Sequence, residues 1–248
     1  MHMKFPSERV VEGQEEIPIH EFQHPDTEST ISLVGLHHVA APQFFSEVSG
    51  YVDSREADGS VVHYERRRLP DDEAMAAYPT WVRRFAPRIN RTLDNMYKLT
   101  IAEQEDDADK LVYQFDCDEI SFRDDWEVHD LTMADIVLEM GHLKAGFATK
   151  VMEDLHAIDR GDKRSSDLVY GLKALGLMKA MKGAVLHKRN EVALDGIAEA
   201  LQADPEQDIT LLWGAAHLPG LADGVVARNY EHRDTKWLRP KPSPLELE

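Results

Sequence analysis

Leu33-Val34-Gly35-Leu36-His37-His38-Val39-Ala40-Ala41-Pro42 and Leu211-Leu212-Trp213-Gly214-Ala215-Ala216-His217-Leu218-Pro219 are two versions of one pattern. Each opens on an apolar run, passes through Gly-x-x-His and reaches a proline. Thr30 to Val34 leads into the first and is β-branched and apolar, which suits a central strand. Asp208 to Trp213 reads as a second buried strand. Proline is favoured in the first turn of a helix, so each copy reads as strand, turn, helix start. Glycine permits a sharp or left-handed turn between the two elements. In α/β sheets, ligands bind outside the carboxyl ends of the strands, and helix N-termini there favour anionic groups. One Gly-x-x-His occurs often by chance. Two at matching strand ends predict that His38 and His217 face one cleft if the strands are neighbours.

Working outward, Glu16 to Gln23 alternates apolar and polar residues like a half-buried strand, and His24 to Ser29 carries turn residues. These complete a hairpin with Thr30 to Val34. Ala41 to Val52 has helical spacing, and Ser60 to Glu65 is a short strand ending on a carboxylate. Asp71 to Glu105 reads as mostly helical, with Pro79 and Pro87 as breaks. Leu111 to Phe115 reads as another strand. Leu131 to Ile158 has the apolar period of one long helix. Ser165 or Ser166 would cap the next, which runs through Leu168, Leu172, Leu175, Leu177 and Met178. Asn190 to Gln202 is a further helix, and the chain from Lys236 reads as extended. The expected fold is α/β: a central mixed β-sheet with flanking helices and a long helical insertion in the middle of the chain. The expected organisation is a disordered or loose tail over 1–15, one domain over 16–238 with the insertion at about 71–182, and a C-terminal tail over 239–248.

The chain has 248 residues and 42% hydrophobic residues, enough for a sizeable core without staples. With 28 Lys and Arg against 46 Asp and Glu, the net charge is −18. Such a surface repels phosphate backbones, which argues against nucleic acid and anionic membranes as partners. The acidic stretch Glu103 to Asp109 reads as a solvated loop without the pattern of a calcium loop. No apolar run approaches the ~20 residues of a membrane span. The polar N-terminus lacks a secretory pattern, so the expected location is cytoplasmic. The single cysteine, Cys117, excludes internal disulfides and Cys-based zinc fingers, and reads as a packed thiol. The apolar stripe within Leu131 to Met181 offers a surface for a homodimer.

Glu65 closes the strand Val61-Val62-His63-Tyr64-Glu65 and should share the rim with both histidines. Two His and one carboxylate with open positions make a workable catalytic metal site, so His38, His217 and Glu65 are the candidate ligands. Without metal, the same three could run acid–base hydrolysis. Arg189 could clamp a carboxylate or stabilise an oxyanion. Asn190 could serve the site or act as an N-cap. His63 lies two residues before Glu65 on the same strand face, where it could support Glu65 or be a buried hydrogen-bonded histidine. His37 reads as structural or supporting. Asp130 reads most simply as the cap of the long helix.

Val34-Gly35-Leu36-His37-His38-Val39, His63-Tyr64-Glu65, Lys188-Arg189-Asn190 and Trp213-Gly214-Ala215-Ala216-His217-Leu218-Pro219-Gly220 together resemble the TraB/Tiki family, which includes GumN-like and pheromone-shutdown proteins. Tyr113-Gln114-Phe115, Trp126 and Asp130-Leu131-Thr132 also look like that family's middle stretch. The resemblance spans about residues 16 to 238, and Gly-Ala-Ala-His-Leu-Pro-Gly is its most specific element. It implies a fold related to erythromycin-esterase-like and ChaN-like proteins. It also implies metal-dependent cleavage of a peptide or small-molecule substrate, with His38, Glu65, His217 and Arg189 as the catalytic set. Asn190, His37, His63 and Asp130 would stand behind them. The resemblance favours manganese or cobalt as the divalent metal, and zinc also suits the donor set; haem is disfavoured. The alternative reading is a non-catalytic peptide, small-molecule or haem-binding protein on the same fold. Tiki members are membrane-tethered, and this sequence shows no span.

Overall fold

The alternating stretch around Ile17 and Ile19 forms β2 (Gln14–Gln23), and the turn through His24 to Ser29 returns the chain as β3 (Thr30–Leu36). The two strands pair antiparallel, with Ile19 opposite Val34 and Gln23 opposite Thr30. This is seen in a computed structural model that describes residues 5–66, 68–102, 111–140 and 183–241, with Ala157 and Arg160. Beside β3 runs β7 (Ile209–Gly214), parallel, with Ile31 opposite Ile209 and Leu36 opposite Gly214. On the other edge of β7 lies β5 (Val61–Tyr64), also parallel, with Tyr64 opposite Leu212. The sheet order is β1-β2-β3-β7-β5, where β1 is Arg9–Val11, and β8 (Glu231–Leu238) pairs antiparallel with β2. The fold is thus α/β with a mixed sheet. Two strands, β4 (Val39–Ala40) and β6 (Val112–Tyr113), form a small second sheet.

Residues two apart on a strand share a face, and here both faces are covered. Val34, Leu36, Val62, Tyr64 and Leu212 pack with Phe44, Phe45, Val48 and Val52 of α1 (Pro42–Ala57). On the opposite face, Ile31, Leu33, Ile209, Leu211 and Trp213 meet α5 (Lys188–Ala203) through Ala193 and Ile197. They also meet α6 (Leu218–Val226) through Leu218, Leu221 and Val225. Coverage on both faces explains why β3 and β7 read as near-continuous apolar runs.

The chain divides into two compact units. One is drawn from Met1–Glu65, Glu105–His129 and Asn190–Glu248, and holds both sheets with α1, α5 and α6. The other is drawn from Arg66–Gln104 and Asp130–Arg189. In the second unit lie α2 (Asp72–Ala76), α3 (Thr80–Ala102) and α4 (Met133–Met140). Val82 and Ala86 of α3 pack with Met133, Ala134, Ile136 and Val137.

Several expectations need correction. Pro87 does not break its helix, because α3 runs through it. A mid-helix proline loses one backbone bond at ~3 kcal/mol, and the fully buried Val82 and Ala86 anchor the turns before it. Asp130 is not the cap of α4. Thr132 Oγ1 accepts from the Asp135 amide at 3.2 Å, and Asp135 Oδ2 accepts from the Thr132 amide at 3.0 Å. That reciprocal pair is a capping box. The strand read at Leu111 to Phe115 is only Val112–Tyr113, followed by a 3₁₀ turn at Gln114–Asp116. Its partner β4 is two residues long, so the ladder has nothing further to pair with. Within the N-terminal stretch read as loose, Arg9–Val11 forms β1, held by Arg9 on the Glu16 carboxylate at 2.6 Å. Lys236 to Leu238 are extended because they belong to β8.

Beyond Met140, the long helix expected up to Ile158 lies outside the described residues apart from Ala157. So do the acidic loop at Glu103 to Asp109, the next helix from Ser165, and most of the stripe offered as a dimer surface. No helix among the described residues is long and apolar enough to cross a membrane.

Candidate functional site

Three adjacent parallel strands end side by side. The chain after β3 carries His38, the chain after β5 carries Glu65, and the chain after β7 carries His217. Because β7 lies between the other two, Gly214 stands at the middle of this rim. Its amide donates to Glu65 Oε2 at 2.6 Å. A β-carbon placed on Gly214 would lie 2.9 Å from Glu65 Oε2, 3.7 Å from His217 Cδ2 and 3.8 Å from His38 Nε2. The two Gly-x-x-His motifs therefore bring His38 and His217 to one place, and Glu65 stands with them. Glu65 and His217 are buried and His38 is half-buried.

The glycines do not work through a left-handed turn, as the sequence suggested. Gly214 has φ −52° and ψ 133°, which any residue can adopt. Among the described residues, the glycines with positive φ are Gly13 and Gly59. Gly35 and Gly214 are needed for space. A β-carbon on Gly35 would come within 2.6 Å of Ile17 Cγ2 and 2.8 Å of the Pro18 carbonyl. At Gly214 it would press on the carboxylate of Glu65.

Asn190 is not an N-cap, because α5 begins at Lys188 and a π-helical turn over Gly183–His187 precedes it. Its side chain instead reaches His217. The amide Nδ2 donates to the His217 carbonyl at 3.1 Å, which leaves Oδ1 facing the imidazole Nδ1 at 2.6 Å. An oxygen in that position accepts from a proton on Nδ1, so Nε2 carries the lone pair in the neutral imidazole. A β-carbon on Gly220 would overlap Asn190 Nδ2, so the last glycine of Gly-Ala-Ala-His-Leu-Pro-Gly makes room for this clamp.

The remaining candidates sit elsewhere. His37 turns back on its own loop, with Nδ1 2.6 Å from the Val39 carbonyl. Arg189 and Asp130 lie in the second unit, where Arg189 Nε and Nη2 donate to Asp130 Oδ1 and Oδ2 at 2.7 and 2.6 Å. Both side chains are almost fully buried. Burial raises the Cys117 thiol above its ordinary range, which suits a packed thiol. An open groove of about 280 Å³ beside Glu16, Trp237 and Arg239 contains none of the candidate residues.

Sequence reading missed a second constellation. Trp126-Glu127-Val128-His129 alternates, and Glu127 bridges to His63 as a parallel extension of the sheet edge. Trp126 and Val128 face the α1 core, while Glu127 and His129 turn towards His63. The alternation is readable in the sequence, but it is only four residues long. Among the described residues, His63, Glu127 and His129 are the group whose ligand-type atoms all lie within 4.8 Å of one another. This group could hold a metal ion. Burial pushes the His63 imidazole well below its ordinary range, and the His129 hydrogen bond holds Glu127 below the usual carboxylate range.

No family model matches the chain, and no curated protein or solved structure matches it either.

Proposed function

We propose that this chain is a hydrolase of amide or ester bonds in a peptide or related small molecule, working at the rim formed by His38, Glu65 and His217. The observation that carries the reading is the convergence of these three side chains around Gly214 at the carboxyl ends of neighbouring parallel strands. The Gly214 amide fixes one oxygen of Glu65, which orients the carboxylate to take a proton from an attacking water. His217 offers an Nε2 lone pair whose direction is set by Asn190, and His38 Nε2 lies 3.8 Å from where a β-carbon on Gly214 would stand. An acid–base pair of this kind contributes ~10²–10⁴ in rate.

The donor types of this set suit a divalent ion of the manganese, cobalt or zinc class, although their ligand atoms lie farther apart than the 4.8 Å within which those of His63, Glu127 and His129 converge. Two imidazoles and a carboxylate match such ions, and a ligating imidazole is commonly held by an oxygen on its other nitrogen, as Asn190 holds His217. Such an ion, when bound, polarises a carbonyl and lowers the pKa of its water. The motif resemblance to TraB/Tiki proteins supports the same reading and favours a peptide as substrate.

The test is turnover of a peptide library with added manganese or cobalt by the wild type, His38→Ala and Glu65→Gln. Both substitutions should abolish cleavage. Unchanged turnover in both ends this assignment. Binding of a peptide without turnover by the wild type would make the rim a capture site and not a catalytic one.

A further inference from the structure

We propose that His63, Glu127 and His129 form a divalent-cation site of their own, of the class that takes zinc or cobalt, beneath α5 and apart from the His38, Glu65 and His217 rim. His63 is fully buried on β5, and neither of its ring nitrogens makes a hydrogen bond. A buried polar group that makes no hydrogen bond costs ~1–3 kcal/mol, so a fold that keeps one there needs a reason. Its Nε2 lies 3.4 Å from Glu127 Oε2, and His129 Nε2 lies 2.8 Å from the same oxygen. Two imidazole nitrogens and one carboxylate oxygen therefore point at a common place.

The spacing suits an ion. Zinc–nitrogen and zinc–oxygen bonds of ~2.0–2.2 Å put neighbouring ligand atoms roughly 3.3 Å apart in a tetrahedral shell. The three donors already lie within 4.8 Å of one another, so small side-chain movements suffice. The half-exposed Glu127 leaves a water-accessible side for a fourth ligand.

The site is also built from behind. The His129 ring packs against Gly196 of α5, where a β-carbon would overlap it. His129 and His63 stand with ring centroids 4.6 Å apart. The Tyr64 amide donates to the Glu127 carbonyl at 3.0 Å and the Glu127 amide to the Val62 carbonyl at 2.9 Å, which fixes the loop to β5. The donors thus come from a buried strand and from a segment locked to it, not from mobile surface chains. A bound ion would cross-link the two.

The experiment is titration of the full chain with Co²⁺, read by visible absorption, for the wild type, Glu127→Gln, His129→Ala and the double variant His38→Ala/Glu65→Gln. Circular dichroism checks that each is folded. The expected result is a cobalt band from imidazole and carboxylate ligands in the wild type. It should persist in the double variant and fall at least tenfold in affinity in Glu127→Gln and His129→Ala. Glu127→Gln keeps the shape of the side chain, so it remains informative if His129→Ala does not fold. The proposal is overturned by no cobalt band in the wild type, by an undiminished band in Glu127→Gln, or by its loss only in the double variant. Because the double variant removes the rim alone, failure here and failure of the hydrolase reading give different patterns.

Discussion

Asn190 grips His217 at both ends, with Oδ1 2.6 Å from the imidazole Nδ1 and Nδ2 donating to the His217 carbonyl at 3.1 Å. The two residues are far apart in sequence, and the contact fixes both the tautomer and the aim of the ring. Asn190→Ala removes that control over the His217 ring. Partners of this kind are worth ~10–100-fold in activity or metal affinity. The expected outcome is such a fall in kcat for the cleaved peptide, with far-ultraviolet circular dichroism unchanged. An unaltered kcat would show that Asn190 only packs.

Gly220 and Asn190 should be coupled. Gly220→Ala introduces a β-carbon where Asn190 Nδ2 now sits, and overpacking of that sort costs ~1–3 kcal/mol. In Asn190→Ala/Gly220→Ala the obstructing amide is gone. The double variant should therefore be less destabilised than the two single losses added together, as measured by urea denaturation. Strict additivity would contradict the contact.

Gly214→Ala tests the rim from below. The new methyl would lie 2.9 Å from Glu65 Oε2 and force the carboxylate off its amide donor. Misplacement by ~1 Å can cost ~10² in rate. Activity should fall by at least ten-fold while the melting temperature moves by only a few degrees. A variant of full activity would mean that Glu65 is not held for catalysis.

Arg189 and Asp130 form a buried bidentate pair, and removing one partner takes the charge-matched contact from the other buried group. Breaking such a pair costs ~3–5 kcal/mol. Arg189→Ala should be strongly destabilised, and Arg189→Ala/Asp130→Ala should recover a large part of that loss in a denaturation series. If Arg189→Ala is as stable as the wild type but loses turnover, the guanidinium serves substrate and not the fold.

His20 gives a pH signature. It is buried among Phe5, Phe22, His232 and Trp237, and its Nδ1 lies 2.9 Å from Thr235 Oγ1. Burial pushes its pKa down from the ordinary 6.5 to about 4. Between those values the unfolded chain binds a proton that the folded chain refuses. Stability is complete above about pH 6.5 and declines as pH falls towards 4, by ~1 kcal/mol per pH unit from this residue. In His20→Phe the slope of unfolding free energy against pH should flatten over that window.

Much of the fold was legible because it is written locally. The alternation of Ile17 and Ile19, the β-branched run Thr30 to Val34, and the apolar run into Gly214 fixed three strands and the helices that follow them. The strand-end histidines and Glu65 were found for the same reason. Pro87 was misread because propensity is local, whereas the packing of Val82 and Ala86 against α4 that holds α3 together comes from elsewhere in the chain. Asn190 was half-read as a cap because nothing near it in sequence names His217.

By itself, then, the sequence determined the α/β class, the strand ends and the residue types on the rim. Side-chain periodicity and the chemistry of Gly, His and Glu need only a few neighbouring residues to be recognised. Only the tertiary structure decided that β7 lies between β3 and β5, which brings His38, Glu65 and His217 around one glycine. It also decided that Gly35, Gly214, Gly196 and Gly220 are there for close approach and not for a left-handed turn. Register between parallel strands and the space left beside a backbone depend on residues distant in the chain, so no local pattern could state them.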